Sequence, residues 1–324
     1  MCSRLHLSRA LLAAALTLAA APVLAQSYPV KPVRVIVPFP PGAGADITTR
    51  LFAPRLSEAL GQPFVVENRA GAAGNIGAEV VARAAPDGYT LLTAPASLAI
   101  SQTLYKKLPF DLVRDFQPVA MLASVPFVLV VHPSLPVKYV KDLVALAKSR
   151  PGQLNYASTG NGSSPHLTAE MLKMQARIDA VHVPYKGTPL AVADLLTGQV
   201  SFMFANALSV LPHVNSGRLR ALGVTSARRN AATPQLPTMT ESGLPGFESG
   251  TWYAVLAPAG TPREPVARLN GEIGKLTQHP DIREKLAAQG AEALTMTPEQ
   301  TAAHVRSEIA KWGKVVLASG ARVD

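Results

Sequence analysis

One cysteine in 324 residues, Cys2, lies ahead of an apolar N-terminal run, so the chain beyond that run has none. Disulfides, thiolate metal sites and cysteine nucleophiles are thereby excluded from nearly all of the protein. Aromatic residues make up only 6%, and the net charge of +10 comes from scattered Lys and Arg with short pairs such as Lys106-Lys107 and Arg228-Arg229. Nucleic-acid binding needs a clustered basic footprint, which this pattern does not provide. His132, His166, His182, His213, His279 and His304 show no His-x-His or His-x-x-x-His spacing, so no metal site is expected. The serine elbow Gly-x-Ser-x-Gly is missing, because Gly162-Ser163-Ser164-Pro165-His166 breaks its spacing. No Gly-Lys-Ser/Thr follows the glycines near residue 42, and Gly42-Ala43-Gly44-Ala45-Asp46-Ile47 ends in Ile where a dinucleotide fingerprint needs Gly or Ala. Asp87, Asp111 and Asp115 fall in turns, and no acid/base pair can be nominated. Reactive groups are scarce, and no cofactor is expected.

What is present begins with Arg4 and Arg9, an apolar run over 10–21, and Val23-Leu24-Ala25, the small-x-Ala pattern of a signal-peptidase site. The run is shorter than the ~20 residues of a spanning helix. A signal peptide over 1–25, cleaved after Ala25, and a periplasmic destination are expected. Loss of Arg4 and Arg9 lowers the net charge from +10 to +8. The remaining 299 residues are enough for two domains, and their basic balance favours small anions.

The stretch Val33 to Asp46 organises the chain. Alternating β-branched residues at 33–37 predict a strand that stops at Pro38, and Ile47, Leu51, Phe52, Leu56 and Leu60 predict a helix stopped by Gly61, with a kink at Pro54. Between them, Gly42 and Gly44 permit close approach of a ligand to the backbone, and the free N–H groups of the helix start favour an anion. Asp46 suits the first helical turn. Further strands are expected at 64–68, 89–93, 127–131 after a separate piece at 116–121, from 180 into a loop ending at 187, at 200–204 and at 219–224. Strand and helix alternate, which predicts a parallel sheet with helices on its faces and ligands at the C-terminal strand ends. Thr93 and Ser97 are candidate lining residues there. The run Ser158-Thr159-Gly160-Asn161-Gly162-Ser163-Ser164-Pro165-His166 repeats the logic of the first loop, with Pro165 opening a helix. Two such helix starts are placed to face each other. A chain rich in backbone-donor loops and poor in reactive side chains favours binding over catalysis.

Pro38-Phe39-Pro40-Pro41-Gly42, Asp46, Glu67-Asn68-Arg69, Gly74-Asn75-Ile76-Gly77, Pro86-Asp87-Gly88-Tyr89-Thr90-Leu91, His166-Leu167, Val183-Pro184-Tyr185-Lys186-Gly187, and Trp252 with Pro258-Ala259-Gly260-Thr261-Pro262 stand in that order along the chain. Together they resemble the periplasmic substrate-binding proteins of tripartite tricarboxylate transporters, the Bug receptor family. The resemblance implies an α/β, type II periplasmic-binding-protein fold, with two lobes, two crossovers and a ligand cleft between them. Lobe 1 would be 26–126 plus 251–324, and lobe 2 would be 127–250. By the same resemblance, Phe39, Gly42, Ala43 and Asp46 would form the first-lobe loop, and Ser158, Thr159, Ser164 and His166 the second. Tyr185, Lys186, Gly187 and Asn206 would lie on the hinge side. The implied partners are a small carboxylate and a membrane permease, with the receptor itself a monomer. Ala43 stands where the family commonly has a second Gly, so its methyl is expected to narrow the carboxylate pocket or shift the loop. Asn206 stands where an Asp is frequent, and the lost negative charge favours a carboxylate without an ammonium group, such as a di- or tricarboxylate or an aromatic acid. Two other readings are an exported hydrolase using His166 with Ser163 or Ser164, and a sensor that presents its closed form to a signalling partner.

Overall fold

The structure, a computed structural model, describes residues 28–230, 233–288 and 290–321; the expected signal peptide and its cleavage point lie outside the described residues. Strand β1 (Val33–Val37) alternates as read and is buried at all but Arg34. It pairs in parallel with β2 (Phe64–Asn68) and β3 (Thr90–Pro95). Helix α1 (Gly44–Leu60) links the first two, buries Phe52, Leu56 and Leu60, and ends at Gly61 with a left-handed φ of 70°. It begins three residues ahead of the Ile47 periodicity and runs through Pro54 as one helix. Pro54 is exposed, so the buried stripe on the other side is uninterrupted. Helix α2 (Asn75–Ala82) precedes β3, and α3 (Ser97–Leu104) follows it.

The long strand β4 (Phe116–Val131) replaces the two separate pieces expected at 116–121 and 127–131. It holds together because it changes partners midway. Up to Pro126 it pairs antiparallel with β9 (Gly250–Pro258), and from Phe127 it pairs antiparallel with β7 (Phe202–Asn206) on one edge and β8 (Arg220–Val224) on the other. Pro126 has no N–H to donate, and it sits where one ladder gives way to the other. The returning crossing is at Gly250, where a Cβ would lie 2.8 Å from the Val125 carbonyl oxygen. The order β2-β1-β3-β9-β4-β7-β5-β6 results, with β5 (Asn155–Ser158) and β6 (Val181–Pro184) at the far edge and β8 and the short β10 (Glu292–Ala293) also on β4.

The second half carries α4 (Val140–Ser149), α5 (Ser164–Ala176), α6 (Thr188–Leu196) and α7 (Ala207–Asn215). The chain then returns to the first half with α8 (Arg263–Gln278), α9 (Pro280–Ala288) and α10 (Pro298–Ser319). Each half has its own core, one around Val35, Phe52 and Val255, the other around Leu129, Tyr156 and Phe202. A smaller apolar cluster of Ile100, Leu104, Leu167, Trp312, Val315 and Val316 joins α3 and α10 of one half to α5 of the other. Among the described residues no helix is long and apolar enough to cross a membrane.

Both tryptophans of the chain hang on one carboxylate. Trp252 Nε1 and Trp312 Nε1 donate to Glu308 Oε2 at 3.0 and 2.9 Å. Glu308→Gln keeps an acceptor and removes the charge that strengthens both bonds, so we expect a loss of about 1 kcal/mol in stability. Urea unfolding followed by tryptophan fluorescence checks this; an unchanged midpoint would show that the charge contributes nothing.

Candidate functional site

The loops that leave β1, β2 and β3 gather at the C-terminal ends of these parallel strands. The first, 38–43, is tied down by Asp46, which is only 3% exposed. Asp46 Oδ2 accepts the Gly42 N–H at 2.9 Å, while Oδ1 accepts Arg50 Nε and Asn68 Nδ2, each at 2.9 Å. Asn68 Nδ2 also donates to the Phe39 carbonyl at 2.9 Å. Burial alone would raise the pKa of Asp46, but the Gly42, Asn68 and Arg50 donors outweigh it and hold the carboxyl below the usual carboxylate range. The carboxylate is therefore engaged inside the protein as the post to which the loop is fastened. Gly42 has open space around its Cα, and its φ of +79° is what demands glycine.

At Gly44 the demand is spatial. A Cβ there would lie 2.3 Å from Tyr253 Oη and 3.1 Å from Asn206 Nδ2. Asn206 is the N-cap residue of α7, and its side chain and that of Thr251 both hydrogen-bond the Tyr253 hydroxyl. Burial pushes the Tyr253 phenol far above its ordinary pKa, so it stays neutral. The start of α1 thus meets, from the other half, the start of α7. A second close approach pairs the α5 loop with α3: a Cβ on Gly162, whose φ is +75°, would lie 2.2 Å from Leu104.

The second loop, 158–163, is held by serine and histidine. Gly160 N–H donates to Ser158 Oγ at 3.1 Å, Ser163 Oγ donates to the Gly160 carbonyl at 2.7 Å, and Ser163 caps α5 by accepting the His166 N–H. Gly162 N–H donates to His166 Nδ1 at 3.1 Å. The His166 ring stacks on His182 at 3.9 Å between centroids, and His182 Nε2 lies 2.6 Å from Ser158 Oγ. Tyr156 stacks on His182 and donates to Glu170, which also accepts Lys173 Nζ at 2.8 Å. Burial, reinforced by Lys173, lowers the His166 pKa to about 4. Burial and the neighbouring His166 ring lower His182 to about 3.

Of the sequence-nominated residues, Phe39, Gly42, Ala43 and Asp46 share the first loop and its helix start. Ser97 donates to the Ala73 carbonyl at 2.7 Å and thereby fastens the neighbouring loop 71–74. Thr93 is fully buried, with its hydroxyl bonded to Thr49. Ser158, Thr159, Ser164 and His166 share the second loop. The Tyr185 hydroxyl is committed to Asp194 of α6 at 2.7 Å, and burial and Asp194 push its pKa up to about 12. Lys186 is exposed, and Gly187, with φ of 114°, is the N-cap of α6. Asn206 joins the Gly44 contact. His182, Tyr253 and Thr251 were not nominated. The Val-His-Val-Pro run read as ordinary strand, Thr251 and Tyr253 carried no signal beside Trp252, and strand register alone does not reveal which ring reaches a loop. Ser163 and His166 are not paired as nucleophile and base: the Ser163 hydroxyl donates to the Gly160 carbonyl, and His166 Nδ1 accepts the Gly162 N–H. Among the described residues no group of three or more His, Cys, Asp or Glu could hold a metal.

Residues 48–321 match the family model described as a tripartite tricarboxylate transporter family receptor. The chain is 42% identical over 306 residues to Protein BugT of Bordetella pertussis (strain Tohama I), with 94% of each chain covered. The structure of R. palustris Rpa4515 with adipate superposes with a TM-score of 0.86 at 38% identity, covering 92% of this chain and 100% of that one. MatC of Rhodopseudomonas palustris with bound malate gives a TM-score of 0.81 at 34% identity, covering 89% of this chain and 100% of that one.

Proposed function

Because the chain belongs to the tripartite tricarboxylate transporter receptors of the Bug family, we propose that it captures a small carboxylate between its lobes and delivers it to its permease. It is a periplasmic receptor, not an enzyme. The observation that carries the ligand reading is the start of α1, where backbone N–H groups follow a loop fastened by Asp46 and meet Asn206 across the lobes. Relatives of more than 30% identity hold adipate and malate.

The lobes are read as 26–126 plus 251–324 and 127–250, supported by the change of strand partner at Pro126 and Phe127. Ligand contacts are assigned to Phe39, Gly42, Ala43, Ser97, Ser158, Thr159, Ser164, His166, Tyr185, Lys186, Gly187 and Asn206, with Asp46 acting through the loop it holds. The neutral Asn206 favours an acid without an ammonium group. Export proceeds with cleavage after Ala25, and the receptor works as a monomer.

A thermal-shift screen of residues 26–324 against dicarboxylates, tricarboxylates, aromatic acids and amino acids tests the reading. A ligand at about 100 times its dissociation constant adds roughly 2.7 kcal/mol of stability. Hits confined to carboxylates without an ammonium support the assignment; tight aspartate or glutamate binding with the others inert overturns it, as does silence from ligand-free folded protein. Asp46→Ala should weaken the hit about tenfold while costing about 1 kcal/mol in stability, because Arg50 and Gly42 are exposed and turn to water. Calorimetric titration reads the first effect, and unchanged affinity would place the site elsewhere.

A further inference from the structure

The motif Gly74-Asn75-Ile76-Gly77 contains a side chain that the site described above does not use. Asn75 opens α2, is 5% exposed, and has both its Nδ2 and Oδ1 buried without a hydrogen-bond partner. A buried carboxamide with neither end satisfied is uncommon in a folded protein and calls for an explanation. The turn that carries it is closely packed. A Cβ on Gly74 would meet the Phe39 ring at 3.3 Å and Leu98 at 3.4 Å, and one on Gly77 would meet Pro38 at 2.8 Å. The first turn of α2 is therefore pressed against the start of the 38–43 loop, and Ser97 fastens the preceding Ala73 carbonyl. Side chains at a helix start lean toward its N-terminus. In α2 that direction is toward the strand ends where the loops of β1, β2 and β3 converge.

We propose that Asn75 reads the ligand, and that the group it reads is a neutral one carrying both a donor and an acceptor, a hydroxyl or an amide on the bound acid. A carboxamide has no charge to spend on a second carboxylate, but it can donate through Nδ2 and accept through Oδ1 at once. This rests on the carboxylate-receptor reading. A site that hydrogen-bonds a ligand hydroxyl discriminates strongly against the analogue lacking it, because its own polar atoms are then left unpaired.

The test compares the unaltered chain with Asn75→Leu, which has nearly the same shape and no polar atoms. Calorimetry with acids matched except for one hydroxyl, malate against succinate and citrate against tricarballylate, should show at least a tenfold preference for a hydroxylated member. In Asn75→Leu that preference should collapse to within about threefold, with affinity for the unhydroxylated partner retained. An equal preference in both proteins, a preference for the plain acid, or equal loss for both acids overturns the inference while leaving the receptor reading intact. The melting temperature of the unliganded proteins decides independently of any ligand. Asn75→Leu should melt at or above the parent, since it removes two unpaired buried atoms; a lower melting temperature would make Asn75 a structural residue and overturn the inference even if no acid binds.

Discussion

Gly44→Ala is expected to destabilise the protein by about 2 kcal/mol, and adding Tyr253→Phe is expected to return at least half of that loss. The single added methyl would lie 2.3 Å from Tyr253 Oη, a distance no real Cβ contact tolerates. Tyr253 cannot swing aside cheaply, because its ring is buried in the core around β9 and its hydroxyl is held by Asn206 and Thr251. Alanine is the better helix former, by about 1 kcal/mol, so the steric cost must exceed that gain for the variant to be less stable. Removing the hydroxyl removes the obstacle, which makes the double variant the informative one. Urea unfolding of the four proteins of the cycle measures the coupling. If Gly44→Ala unfolds at the parent midpoint, the tyrosine yields and the contact is soft; if Tyr253→Phe restores nothing, the strain lies in the helix start itself. Ligand affinity should fall with Gly44→Ala as well, since α1 and α7 can no longer meet at this spacing.

The same glycine shows what the sequence could and could not reveal. The strand-loop-helix from Val33 to Gly61 was legible because its parts are local: β-branched alternation, a run of prolines and glycines, a periodic apolar stripe and a terminal glycine. That Gly44 needs to be glycine on account of Tyr253, 209 positions away, is a tertiary fact with no local signature. Helix α7 was missed for a related reason. It contains Pro212, which reads as a breaker, yet packing of Ala207 and Val210 into the core beside β7 sustains it. The unity of β4 was hidden by Pro126, between its two short runs; it is tolerated because the partner changes there, while Pro118 sits beside a register shift in the ladder with β9. In the second loop the serines and His166 were visible as a cluster. Their mutual bonding, and the stacking of His166 on a histidine from β6, depend on the parallel pairing of β5 with β6, which places Tyr156 beside His182.

That stack sets the pH dependence of the fold. His166 is 8% exposed, accepts the Gly162 N–H at Nδ1 and lies flat against His182 at 3.9 Å. Glu170, Lys173, Tyr156 and Ser158 complete the polar and charged groups around the pair. A proton on Nδ1 would displace the Gly162 N–H and put a charge beside a second imidazole and the Lys173 ammonium. Burial first, and then Lys173, accordingly lower its pKa from 6.5 to about 4. In the unfolded chain the ring titrates near 6.5, so at pH values between the two the unfolded state binds the extra proton. The stabilising contribution is complete above pH 6.5 and is lost as the pH falls from 6.5 toward 4, amounting to about 3 kcal/mol from His166 alone. Asp46, whose carboxyl is held below the usual range, acts only at still lower pH, so the windows separate. Thermal melts at closely spaced pH values between 7.5 and 4.5 should show the parent losing stability across this window. His166→Gln, whose side-chain oxygen accepts the Gly162 N–H without titrating, should make the slope shallower, and what remains comes from the neighbouring His182, whose pKa burial also lowers. A variant that falls as steeply as the parent would move the titration to other groups. Calorimetric titration of both proteins across the same window tests whether the 158–163 loop also carries the effect of protons on ligand binding: a pH dependence of affinity present in the parent and reduced in His166→Gln would place it there.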